Sequence, residues 1–246
     1  MAEAQSVPAS SDSEPTHEHH HRKIQGGAAR AAVFGVSDGL VSNVSLILGV
    51  AGANPGPGVV RLAGLAGLVG GAFSMAAGEY VSMRAQTELL ERELELERIE
   101  IRRSPELERR ELAAIYESRG VNPETAEELA TEMHRDPDLA LETHAREELG
   151  IDPSELGSPV QASISSFLAF AAGALLPLIP WFFTRGTAAV TASMVVGAVA
   201  AVAVGVGLST FTGRPALRSA LRQLLMAGAA AGVTFAVGSI VGVGVT

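Results

Sequence analysis

Five long apolar runs constrain this chain more than any motif in it. They fall at about 28–51, 59–83, 164–183, 187–211 and 217–245. A helix needs ~20 predominantly apolar residues to cross the ~30 Å hydrocarbon core of a bilayer, and each run is long enough. Lipid offers no partner to a free backbone N–H or C=O, so each run has to be helical there. The residue types agree. The chain is 47% hydrophobic but only 4% aromatic, with 27 glycines among its Ala, Val and Leu. Small residues let helix backbones approach closely in lipid. Gly67 and Gly71, Gly228 and Gly232, and Gly238 and Gly242 repeat at four-residue spacing, which marks crossing faces within one chain or between two. The expected fold is an all-α membrane protein with five transmembrane helices.

The acidic charge is concentrated between the second and third runs. Residues 88–155 hold 21 of the 27 acidic residues and nine of the 18 basic ones. The mean hydropathy of +0.27 averages over these contrasting blocks. Residues 88–103 contain no Gly or Pro and continue directly from the second run, so one long helix is expected to leave the membrane. Ser104-Pro105-Glu106, Asn122-Pro123-Glu124 and Asp136-Pro137-Asp138 each place a capping residue, a first-turn proline and an acid in the order that starts a helix. These three helices should end near Gly120, Arg135 and Gly150. The chain then divides into a disordered tail (1–27), spans one and two (28–85), an acidic helical domain (86–158) and spans three to five (159–246).

An odd number of spans puts the termini on opposite sides. Arg22, Lys23 and Arg30 precede the first run, and Arg214, Arg218 and Arg222 cluster at the turn between the fourth and fifth. Only Arg61 and Arg185 lie near the opposite turns. The positive-inside rule places the N-terminus and the acidic domain in the cytoplasm. The first 26 residues lack the basic and apolar regions of a signal peptide. With no sorting signal and an Ala, Gly and Arg-rich style, a prokaryotic cell membrane is expected. His17-Glu18-His19-His20-His21 is either a weak cation scavenger or a tolerated polar tail.

With no cysteine, a metal site here must use carboxylate, imidazole, thioether or backbone oxygen. No Walker-type loop, His-Glu-x-x-His or Gly-x-Ser-x-Gly pattern occurs, and no enzyme activity is expected. The acidic balance argues against nucleic acid.

Asp38 is the most informative residue. It lies mid-span in Ser37-Asp38-Gly39-Leu40-Val41-Ser42-Asn43. A carboxylate at that depth marks a partner or a water-filled path, which Ser42 and Asn43 would help to solvate. The alternative is a protonated Asp bonded between helices. Met75, in the second run, offers either a soft ligand or ordinary apolar packing. Glu79, one turn on, either gathers cations at an entrance or is a solvated carboxylate at a helix exit.

In the acidic domain, Glu93, Glu97 and Glu100 share one helix face, and Glu108 and Glu111 form an i, i+3 pair. His144, Glu147 and Glu148 sit together late in the last helix. Facing Glu-x-x-Glu pairs build carboxylate metal sites in helical proteins, and stacked like charges are unfavourable without a cation. The competing reading is a charged, soluble surface, because Arg92, Arg98, Arg102, Arg109 and Arg110 interleave with the acids.

These motifs together resemble the vacuolar iron transporter family of Fe²⁺/Mn²⁺ transporters. The resemblance covers roughly 28–245. It rests on 37–43, on Gly78-Glu79-Tyr80-Val81-Ser82, on Glu111-Leu112-Ala113-Ala114-Ile115-Tyr116, on Glu147-Glu148-Leu149-Gly150, and on the stretch from Leu168 to Pro177. It implies a homodimer with a pore near the interface and export of a divalent cation from the cytoplasm in exchange for protons. No permanently bound cofactor is implied; Fe²⁺ or a similar cation is both substrate and ligand. Asp38 and Met75 occupy transport-path positions, with Glu79 near the cytoplasmic mouth. Glu97, Glu100, Glu108 and Glu111 match the metal-site glutamates. His144 stands where the family has a methionine and Glu148 is the matching acid, which leaves Glu142 and Glu147 as alternative ligands. The rival reading is a membrane-anchored metal sensor or buffer, which has no need of Asp38. A di-iron oxidase would need Glu-x-x-His pairs, which the acidic domain lacks.

Overall fold

The computed structural model describes residues 27–150, 152–153 and 157–243, so the His-rich tract lies outside the described residues. Among them there is no strand. Helix α1 spans Gly27–Gly52 and α2 spans Pro57–Arg103. Three short helices follow: α3 (Pro105–Ser118), α4 (Pro123–Met133) and α5 (Pro137–Glu147). The chain returns through α6 (Pro159–Leu175), a 3₁₀ turn at Leu176–Leu178 and α7 (Pro180–Phe183). It ends in α8 (Gly186–Thr212) and α9 (Ala216–Val243). Five helices are long and apolar enough to cross a membrane: Ala28–Gly52, Pro57–Arg103, Pro159–Leu178, Gly186–Thr212 and Ala216–Gly242. The chain is a multi-pass membrane protein.

Prolines punctuate this architecture. Pro57, Pro105, Pro123, Pro137 and Pro159 each sit in a first turn, where a missing N–H costs nothing. Asn122 and Asp136 cap as expected, accepting from the backbone N–H groups of Thr125 and Asp138 at 3.0 Å. Ser104 occupies the cap position without a side-chain cap bond. The third span departs from its hydropathy limits. It begins at Pro159, capped by Ser158 Oγ on the Gln161 N–H, and its last turns break into the 3₁₀ segment and α7 around Pro177 and Pro180.

Helix α1 is the centre of the spans and packs chiefly on α6 and α9. Close approach explains its glycines. A Cβ at Gly39 would collide with the Phe170 carbonyl of α6, and one at Gly238 of α9 with the Gly49 carbonyl of α1. Gly67, Gly71 and Gly242 also meet neighbouring helices, whereas Gly228 and Gly232 face open space. Ile47, Val60, Leu178 and Trp181 form one buried cluster, and Leu40, Ala200, Ala201 and Ala227 another. The outer faces stay apolar, as at Leu62, Val69 and Phe73 of α2 and Leu225 and Ile240 of α9. Outside the spans, Leu112 and Ala113 of α3 pack on Ala126 and Ala130 of α4, and Ala140 and Leu141 of α5 pack on Ile101 of α2. That packing gathers the end of α2, the start of α3 and the end of α5 in one place.

Candidate functional site

Two groups of polar side chains are built along α2. The first lies within the spans. Small residues of α2 (Gly67, Gly71, Ser74 and Gly78) line a cavity of about 430 Å³ together with Phe170 of α6. Asp38, Ser42 and Asn43 line it from α1, and Met75 and Glu79 from α2. Asp38 and Ser42 share one face by their i, i+4 spacing, and both are exposed on the open side of the cavity. Ser42 Oγ donates to the Asp38 backbone carbonyl at 2.6 Å. Met75 both lines the cavity and packs against the buried cluster of Ala72, Phe170 and Ala174. Glu79 is neither free nor merely solvated: Arg30 Nη2 donates to its Oε1 at 3.0 Å.

The second group gathers where the far end of α2 meets α3 and α5. One ligand atom each from Glu97, Glu108 and His144 fall within 4.8 Å of one another, and all three residues are buried. His144 Nδ1 is 3.0 Å from Glu97 Oε1 and 3.2 Å from Glu148 Oε2. That nitrogen carries at most one hydrogen, and the angle directs it to Glu148. Glu97 Oε1 and His144 Nε2 are therefore buried with no hydrogen-bond partner. Burial lowers the proton affinity of the His144 imidazole, but Glu97 and Glu148 outweigh it, and the net shift is upward. Glu108 is raised by burial and then by repulsion from Glu97, Glu111 and Glu100. Glu148 is likewise raised by burial, against its bond to His144. Glu100 and Glu111 are exposed but close enough to act on Glu108. A buried, crowded set of carboxylates around an imidazole is satisfied by protons or by a cation that replaces them.

Glu147 is set apart from this cluster. Its carboxylate and carbonyl are both taken by Arg119. Glu142 pairs with Arg146 at 2.7 Å. Arg98 pairs with Glu95, and Arg109 with Glu106 and Glu127, all outside the cluster.

Two neighbours escape sequence reasoning. Arg30 meets Glu79 from 49 residues away, and nothing local marks the pair. His134 stands edge-on to His144, with ring centroids 5.2 Å apart. Its Nδ1 donates to the Ala130 carbonyl at 2.9 Å, leaving Nε2 buried and unpartnered. Its position at the C-cap of α4 hides it from any helical periodicity. Asn43 is visible as a polar residue in the first run, but its orientation depends on α6.

The chain is similar to known proteins over most of its length. The VIT family pattern matches residues 29–239. Vacuolar iron transporter 1 of Arabidopsis thaliana is 30% identical over 227 residues, covering 91% of each chain. Vacuolar iron transporter 2 of Oryza sativa subsp. japonica is 33% identical over 229 residues, 91% of this chain and 93% of its own. The vacuolar iron transporter of Acanthamoeba castellanii is 41% identical over 162 residues, 65% of this chain and 58% of its own.

Proposed function

The chain belongs to the VIT family, and from that premise we propose that it carries Fe²⁺, or a similar divalent cation such as Mn²⁺, across a membrane and out of the cytoplasm in exchange for protons. The observation that carries this reading is the cavity inside the spans, lined by the hard carboxyl oxygens of Asp38 and the soft thioether of Met75. Hard and soft donors together suit first-row divalent cations, and a site of few ligands can release what it binds. Asp38 suits proton exchange because one carboxylate lone pair cannot hold a proton and a metal ion at once.

The acidic helices supply the substrate. Basic residues around the first span and the α8–α9 turn favour placing these helices in the cytoplasm as a domain between spans two and three. There Glu97, Glu108, Glu148 and His144 bind the cation, with Glu100 and Glu111 adding charge at the rim. Met75 and Glu97 lie 22 residues apart on one unbroken helix, roughly 33 Å along its axis. The cluster therefore concentrates the cation near the pore without being part of it.

Asp38 also speaks for a homodimer. On a single chain it is exposed on the open side of the cavity. A carboxylate facing lipid at that depth costs roughly 2.5–3.5 kcal/mol on insertion scales. A second copy seated over the opening removes that cost and closes the path.

The test is Fe²⁺ flux into proteoliposomes with and without a pH gradient, for the native chain and Asp38→Ala. Flux that needs the gradient and is lost in the variant supports the reading. No flux from the native chain, with metal still bound by the acidic helices, would replace it with a membrane-anchored buffer or sensor.

A further inference from the structure

Asn43 is the most deeply buried polar side chain along the cavity wall, 1% exposed. Its two amide atoms face different neighbours. Nδ2 donates to the Ala174 carbonyl of α6 at 2.6 Å. That bond fixes which end of the amide is nitrogen, since a carbonyl accepts only from the N–H end. Oδ1 is left with no donor although it is buried. It approaches α2 at Gly67, where a Cβ would stand 2.9 Å away. Asn43 and Gly67 both line the cavity that holds Asp38 and Met75.

A buried carbonyl oxygen with no donor is an unmet acceptor, and a cation is an acceptor's alternative to a hydrogen. We propose that Asn43 Oδ1 is a ligand for the transported cation, the neutral oxygen that joins the Asp38 carboxylate and the Met75 thioether. The proposal rests on the transport reading above. The bond to Ala174 holds the oxygen in place before the cation arrives, so no side-chain freedom is lost on binding. An uncharged donor adds affinity without a second negative charge, which would slow release. It also hardens the site, because carbonyl oxygen suits Mn²⁺ better than softer metals.

The experiment compares Fe²⁺ and Mn²⁺ flux in proteoliposomes for the native chain, Asn43→Leu, Asn43→Asp and Gly67→Ala. Asn43→Leu should raise the KM for Fe²⁺ by ~10–100-fold at similar maximal flux, and should weaken Mn²⁺ more than Fe²⁺. Asn43→Asp keeps an oxygen and adds a charge but loses the donor to Ala174, so its KM should stay below that of Asn43→Leu while its maximal flux falls. Gly67→Ala crowds the oxygen from α2 without altering Asn43 itself, with the Leu46 side chain also having to give way, so it carries the test if Asn43→Leu does not fold. It too should raise KM and lower the Mn²⁺ to Fe²⁺ ratio. An unchanged KM and ratio in a folded Asn43→Leu or Gly67→Ala chain overturns the assignment. So does an Asn43→Asp chain whose KM is raised as far as that of Asn43→Leu, which would make the amide a tie between α1 and α6. Absence of flux from the native chain defeats the transport reading itself, an outcome distinct from these.

Discussion

The cavity within the spans and the cluster beyond them share one helix and differ in almost every physical respect. The cavity holds one exposed carboxylate, one thioether and one neutral amide, and the nearest further acid, Glu79, is already matched by Arg30. The cluster crowds carboxylates around a buried imidazole, and none of its acids is paired with an arginine among the described residues. Repulsion and burial are tolerated where helices are short and water is near, because protons or cations relieve them. In lipid the same crowding would cost too much to insert. On the proposed function, the difference assigns strong capture to the cluster and weak, reversible contact to the path. A conducting site must bind well enough to admit an ion and loosely enough to let it go.

Exchanging the charges of the two sites separately is the harshest test of that division. Replacing both Glu97 and Glu108 with Gln should weaken Mn²⁺ binding by the full chain ~10–100-fold or more, measured by calorimetry in detergent. Flux at saturating metal should survive with a raised KM. Asp38→Ala should do the reverse, abolishing flux while binding at the cluster persists. If the double Gln variant lost maximal flux as completely as Asp38→Ala, the two sites would be one functional unit and the comparison would fail.

The cluster should also respond to pH. His144, Glu108 and Glu148 all have folded-state proton affinities above their ordinary values of 6.5 for His and 4.5 for Glu. A raised group stabilises the fold below its ordinary pKa, and that contribution is lost as pH rises through the folded value. Without metal, the full chain should melt lower at about pH 8 than at about pH 6. Bound Mn²⁺ replaces the missing protons, so the metal-induced rise in Tm should be larger at the higher pH. Equal metal shifts at both values would mean that protons and metal do not compete for this site.

The parts of the fold and site that depend on local chemistry were legible before the structure. Apolar windows located all five spans, and Asn122-Pro123 and Asp136-Pro137 marked helix starts that the structure retains. The Gly-free and Pro-free stretch after the second run read as a continuation of that helix, and α2 runs unbroken to Arg103. What stayed hidden depends on partners far along the chain. Glu147 and Glu148 are adjacent and chemically alike. Only the helix phase of α5 and the reach of Arg119 send one to a surface ion pair and the other to His144. The start of α6 moved because its first turns, Pro159 to Ser163, are too polar for a hydropathy window yet well capped. The orientation of Asn43 required a carbonyl 131 residues away.

The smallest effect concerns the pair at the mouth of the cavity. Arg30 is half exposed while Glu79 is largely covered, with side-chain exposures of 50% and 14%. An ion pair that exposed contributes roughly 0.2–1 kcal/mol. A cation approaching the cavity along Glu79 must first displace the guanidinium, so that energy opposes entry. Arg30→Gln should free the Glu79 carboxylate and lower the KM for Fe²⁺ by a factor of about 1.4 to 5, the same energy expressed as a ratio. The effect should shrink in high salt, which already screens the pair in the native chain. Maximal flux should hardly change, because Asp38 and Met75 are untouched. A raised KM in Arg30→Gln would instead make Arg30 a support that holds Glu79 in place for the cation. The contrast between a neutralised cavity mouth and an unneutralised cluster would then carry no functional meaning.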